Sequence, residues 1–132
     1  MLLQHGVMAQ ASARPDAVAI VFEDTRITYG ALDARSNGLA HLLLDAGCQR
    51  GDRIALLLPK SPMAIVAMLA VLKCDAIYVP MDPASPPARL AKMLEISDCR
   101  FVLAAGAVEE RLARALVEAR LRKPPTVGWL DE

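Results

Sequence analysis

The chain has 132 residues, 55% of them apolar, which is enough for one domain with a real core and too apolar for disorder. Its 15 basic and 15 acidic residues cancel, and aromatic residues are only 4% of the chain. That balance offers no field to attract nucleic acid or an anionic membrane, and few rings on which bases stack.

Three cysteines, Cys48, Cys74 and Cys99, stand far apart with no Cys-x-x-Cys pair, which suits a reduced intracellular protein. The first residues lack a basic start followed by a long apolar stretch, so no secretory signal is expected. The most apolar run, Met63 to Leu72, is about half the roughly 20 residues that span a bilayer. A soluble, cytoplasmic protein is expected.

In chain order, residues 1–13 hold a leading amphipathic helix from Leu2 to Ala13, ended by Arg14-Pro15-Asp16. Ala17 to Glu23 reads as a strand, Asp24-Thr25 as a turn, and Arg26 to Tyr29 as the return strand of a hairpin. Thr28 is placed to cap a helix whose apolar stripe runs through Tyr29, Leu32, Leu39, Ala40 and Leu43. Gly47 fits the left-handed position just past its end.

Arg53 to Leu58 is a short, nearly continuous apolar strand of the kind covered on both faces. Ser61-Pro62 opens a helix that runs to Lys73 and is apolar almost all round, hence buried. Ile77 to Pro80 is the next strand. Ser85-Pro86 repeats the cap-plus-proline start, before a helix with Leu90, Met93 and Leu94 inward. Cys99 to Ala104 is a strand, Val108 to Arg120 a charged amphipathic helix, and Thr126 to Leu130 a last strand. This alternation predicts an α/β fold, a mostly parallel sheet flanked by helices, built as one partial domain over 1–132.

Residue chemistry alone assigns no catalytic, cofactor-binding or metal-binding residue. The glycines are not clustered as phosphate loops require. No serine sits in a nucleophile elbow. His5 and His41 are not at metal-ligand spacing, and His41 reads as a surface histidine. Cys74 reads as a small packed side chain at a helix end. Glu109-Glu110 suits the first turn of a helix. Lys60 and Lys73 read as solvated ends of a strand and a helix.

Two segments carry a resemblance. Ile27-Thr28-Tyr29-Gly30-Ala31-Leu32, followed by Ser36-Asn37 and Leu39-Ala40, resembles the first core motif of non-ribosomal peptide synthetase adenylation domains. Leu72-Lys73-Cys74-Asp75-Ala76-Ile77-Tyr78-Val79-Pro80-Met81-Asp82-Pro83 is similar to the second. The residues between them agree in order from about Arg14 to Leu103. The resemblance implies the first subdomain of the N-terminal domain of an adenylate-forming enzyme. It implies a complete enzyme that uses ATP and magnesium to form an amino- or aryl-acyl adenylate. That enzyme then passes the acyl group to phosphopantetheine on a carrier protein.

For Thr28, Tyr29, Leu32, Leu72, Lys73, Tyr78, Val79, Pro80, Asp82 and Pro83 the resemblance implies scaffolding. The family's phosphate loop, nucleotide contacts and mobile C-terminal domain come later than these motifs. The chain is therefore expected to be an N-terminal fragment, inactive alone, of an amino-acid-activating ligase. An acyl-CoA synthetase-like parent is the alternative within the family. A non-catalytic module that completes the rest of the domain in trans, or pairs with a second copy, is the alternative outside catalysis. One departure stands out: Cys74-Asp75 replaces the family's Ala-Gly, and glycine suits a helix end with positive φ better than aspartate does.

Overall fold

The computed structural model describes residues 3–130. Eleven elements follow one another: α1 (Leu3–Ala13), β1 (Val18–Phe22), β2 (Thr25–Thr28), α2 (Tyr29–Asp45), β3 (Arg53–Leu57), α3 (Pro62–Lys73), β4 (Ile77–Met81), α4 (Pro87–Ser97), β5 (Phe101–Ala104), α5 (Glu109–Glu118) and β6 (Thr126–Trp129). Leu2, expected in the first helix, lies outside the described residues. The chain divides into two compact units, one of residues 1–50 and 61–76, the other of residues 51–60 and 77–132.

The first unit holds α1, the antiparallel β1–β2 hairpin, α2 and α3. The hairpin turn is Glu23-Asp24, one residue earlier than expected, with Glu23 at φ 54°. Tyr29 belongs to the helix and not to the strand, because Thr28 already caps α2: its side-chain oxygen accepts from the Ala31 N–H at 3.1 Å. α2 ends in two bonds that close its last turn, from the Gly47 N–H to the Leu44 carbonyl and from the Cys48 N–H to the Leu43 carbonyl, with Gly47 at φ 96°. Ser61 caps α3 by accepting from the Ala64 N–H at 3.2 Å, and Pro62 takes the first turn, where a missing N–H costs nothing. Ile27, Leu32, Val66 and Leu69 form this unit's buried cluster.

The second unit holds a four-stranded sheet in the order β4-β3-β5-β6, with every pair parallel. The central strands β3 and β5 are buried from Ile54 to Leu57 and from Phe101 to Ala104, as their unbroken apolar runs require. Pro80 lies in the edge strand β4, where a residue without an N–H is tolerated. Ala55, Leu57, Val102 and Ala104 pack with Leu90 and Leu94 of α4 and Leu112 and Ala115 of α5. The expected start of α4 shifts by one residue. Pro86 is the N-cap without a side-chain bond, Pro87 occupies the first turn, and Ser85 is buried upstream. A second proline after Pro86 makes this possible, since it supplies the φ that opens a helix.

Candidate functional site

The residues carrying the resemblance sit at joints of the structure. Thr28 caps α2, Tyr29 is half-buried in its first turn, and Leu32 is buried beneath it. Gly30 approaches the loop behind α1: its N–H donates to the Pro15 carbonyl at 2.9 Å, and a Cβ there would lie 3.1 Å from that oxygen. Leu72 is half-buried, and its carbonyl accepts from Gln4 Nε2 at 3.1 Å. Tyr78 and Val79 are half-buried in β4, and Pro80 is exposed there. Asp82 turns the chain out of β4, its Oδ1 accepting from the Ala84 N–H at 2.9 Å. The Pro83 carbonyl accepts from Arg111 Nη2 of α5.

Lys73 corrects its sequence reading as a solvated helix end. Its side chain is only 8% exposed. The ammonium lies 2.7 Å from Asp33 Oδ1, 2.7 Å from Ser36 Oγ, 2.8 Å from Asn37 Oδ1 and 3.2 Å from the Asp33 carbonyl. An ammonium has three donors, so one N–H is shared between two of these acceptors. Ser36, with no exposed surface, uses its own hydroxyl proton on the Leu32 and Asp33 carbonyls and presents a lone pair to Lys73. The Ser36-Asn37 pair of the first motif and the lysine of the second therefore meet at one cation. It ties the middle of α2 to the end of α3. Periodicity shows only half of this: Ser36, four residues from both Leu32 and Ala40, falls on the inward stripe of α2, whereas Asn37 lies off it.

Cys74 and Asp75 end α3 as the glycine argument anticipates. Cys74 is the C-cap and Asp75 follows at φ 55°, the left-handed conformation glycine favours. Cys48 and Cys74, near these helix ends, are both buried. Burial pushes Cys74 up to about 11, with the neighbouring Cys48 and Asp75 adding to the shift. His41 is exposed, and Glu109 and Glu110 occupy the first turn of α5, both as expected.

In the second unit a cavity of about 380 Å³ opens at the amino ends of β3, β5 and β6, lined by Arg53, Arg100 and Lys123 with Asp52, Asp98 and Cys99. Two of its cations have structural partners. Arg53 Nη1 donates to the Ser97 carbonyl at the end of α4, and Arg100 pairs with Asp52 at 3.0 Å while lying over the Phe101 ring. Burial raises Cys99 despite opposing contributions from Ser97 and Arg53. At the carboxyl ends of the strands, where open α/β sheets hold ligands, Gly106 sits at φ 83°, and a Cβ there would lie 3.6 Å from the Pro59 ring. Among the described residues no group of three His, Cys, Asp or Glu side chains is placed to hold a metal ion.

The fold defines the class. It superposes on a benzoate CoA ligase from Burkholderia xenovorans LB400 with a TM-score of 0.85 at 24% identity, covering 97% of this chain and 25% of that one. It also superposes on the non-ribosomal peptide synthetase FmoA3 in its AMPPNP-bound form with a TM-score of 0.81 at 30% identity, covering 97% of this chain and 13% of that one. This is the α/β fold of adenylate-forming enzymes, as the sequence predicts.

Residues 7–131 match the AMP-binding enzyme family, and the chain belongs to it. It is 42% identical over 103 residues to one of the linear gramicidin synthase proteins of Brevibacillus parabrevis, covering 78% of this chain and 1% of the relative. It is 35% identical over 131 residues to malpinin synthetase of Mortierella alpina, covering 99% of this chain and 2% of the relative. It is 46% identical over 94 residues to surfactin synthase subunit 2 of Bacillus subtilis (strain 168), covering 71% of this chain and 3% of the relative. The chain thus spans 1–3% of the length of these three relatives. No helix among the described residues is long and apolar enough to cross a membrane.

Proposed function

We propose that these residues are the N-terminal subdomain of an ATP-dependent, amino-acid-activating ligase of non-ribosomal peptide synthesis, one partial domain that does not catalyse adenylation alone. The observation that carries this reading is the Lys73 joint, where both family motifs spend their polar residues on each other. The motif residues act as scaffold, joining α2 to α3 and turning the chain out of β4. The complete enzyme takes ATP and magnesium, and passes its acyl group to phosphopantetheine on a carrier protein in the cytoplasm. Identities of 35–46% to peptide synthetases favour the amino-acid branch over the acyl-CoA branch.

The partner of this subdomain is the remainder of the adenylation domain. Val18 and Val21 of β1 and Leu42 and Leu44 of α2 are exposed apolar residues that such a partner would cover. They also favour the second reading, an interaction module that completes the domain in trans or pairs with its own copy. ATP–pyrophosphate exchange tests both. Residues 1–132 alone should show none, and co-expression with the downstream part of an adenylation domain should restore it. Exchange by 1–132 alone overturns the scaffold reading. A failure of complementation, with a strictly monomeric chain, overturns the module reading.

A further inference from the structure

We infer that the cavity at the amino ends of β3, β5 and β6 binds a phosphate group, free or carried by a small monoester. The sheet sets its geometry. Arg53 opens β3, Arg100 immediately precedes β5, and the Arg100 N–H donates to the Arg53 carbonyl at 2.8 Å. The Thr126 N–H, at the start of β6, donates in turn to the Arg100 carbonyl at 3.0 Å. The register that sets Ile54 beside Phe101 therefore brings the two arginines to neighbouring strand starts. Both line the same cavity of about 380 Å³, together with Lys123. Like charges on neighbouring strands repel, so this grouping needs anions nearby.

The fold supplies some of that compensation, and not all of it. α4 ends here with Asp98 as its left-handed C-cap, and the carbonyls of a helix end favour a cation. Arg53 Nη1 answers them by donating to the Ser97 carbonyl at 3.2 Å. Arg100 Nη1 holds Asp52 at 3.0 Å. A guanidinium has five N–H donors, and these contacts occupy one nitrogen of each arginine, Nη1. Lys123 belongs to neither ion pair of the described residues, Lys73–Asp33 or Arg100–Asp52. Three cations thus face two carboxylates, Asp52 and Asp98, and one positive charge is left over. Arg53, Arg100 and Lys123 are all exposed, so their spare donors are open to an incoming anion. Planar forks beside an ammonium suit the three terminal oxygens of a phosphate better than the two of a carboxylate. The cavity is larger than a bare phosphate, which leaves room for the body of a small monoester.

The test titrates the 132-residue chain with sodium phosphate, and separately with glycerol phosphate, against sodium chloride at matched ionic strength. Amide shifts by NMR and the melting temperature are the readouts. Saturable shifts are expected at Arg53, Arg100 and Lys123. With phosphate at about 100-fold its Kd, the melting temperature should rise by roughly 10 °C over the chloride control. Lys123→Ala should weaken binding about five-fold and leave the midpoint in chloride unchanged, since it breaks no ion pair. Arg100→Gln should weaken binding at least as much, and its midpoint in chloride reports separately what loss of the Asp52 pair costs. Lys92→Ala, on α4 outside the cavity, should bind as the parent does. Tighter binding of glycerol phosphate than of phosphate assigns the cavity to a monoester, and equal or weaker binding assigns it to the free anion. No saturable binding at millimolar phosphate, shifts confined to other residues, a response that chloride matches, or an affinity unaltered by Lys123→Ala would overturn the proposal. None of these readouts needs adenylation, so they stand or fall independently of the ligase reading.

Discussion

Replacing Lys73 with methionine keeps most of the side-chain volume and removes the ammonium. Four acceptors then lose their donor: Asp33 Oδ1, the Asp33 backbone carbonyl, Ser36 Oγ and Asn37 Oδ1. A hydrogen bond to a charged group contributes about 1.5–3 kcal/mol net, and such bonds sharing one donor do not add. Asp33 is 26% exposed and recovers some hydration, and Asn37 is exposed, which lowers the cost. Ser36 has no exposed surface and gains no water, although it keeps its donated bond to Leu32. The expected loss is therefore about 2–3 kcal/mol, a fall of roughly 10 °C in melting temperature for a chain of this size. Urea unfolding of the parent, Lys73→Met, Asp33→Asn and the double variant measures it. The cycle should return a coupling of about 1 kcal/mol, little reduced by added salt because the ammonium is buried. A Lys73→Met midpoint within error of the parent, or no coupling with Asp33, would refute the idea that this cation joins the two helices.

Relief of left-handed strain is expected at Asp75, where Asp75→Gly should stabilise by a few tenths to about 1 kcal/mol after the entropic cost of glycine, read from chemical denaturation. Asp98→Gly, at φ 50°, should behave alike. Thr28→Ala and Ser61→Ala should each cost about 1 kcal/mol through a lost helix cap. Neither substitution should alter the position of the other helix in amide-exchange profiles. Stability should also fall at alkaline pH through Cys74. Its thiol is protonated in both states below about 9, whereas above that only the unfolded chain ionises readily, so the contribution is lost as pH rises from 9 through about 11. Comparing unfolding midpoints of the parent and Cys74→Ser across that range isolates the effect, and parallel curves would contradict it.

Local chemistry made much of this fold legible. Thr28 and Ser61 announce their helices because a short side-chain oxygen reaches the first free N–H groups without help from distant chain. Gly47 marks the end of α2 by its backbone freedom, and the apolar runs of β3 and β5 report burial on both faces. Lys73, by contrast, looks like any lysine at a helix end, where charge favours the carbonyl dipoles. Its burial depends on residues some 36–40 positions away. Ser36 is legible as inward-facing from its spacing with Leu32 and Ala40, but nothing local names the lysine it meets.

The sequence by itself determined which elements occur and in what order, to within a residue or two at their ends, which family motifs they carry, and that the strands alternate with helices into a parallel sheet. These follow from spacing, caps and backbone preferences, which act over a few residues. Only the tertiary structure decided the order β4-β3-β5-β6, the division into two units, and the meeting of Lys73 with Asp33, Ser36 and Asn37. Those depend on which helix ends the packing brings together, and no local preference encodes that distance.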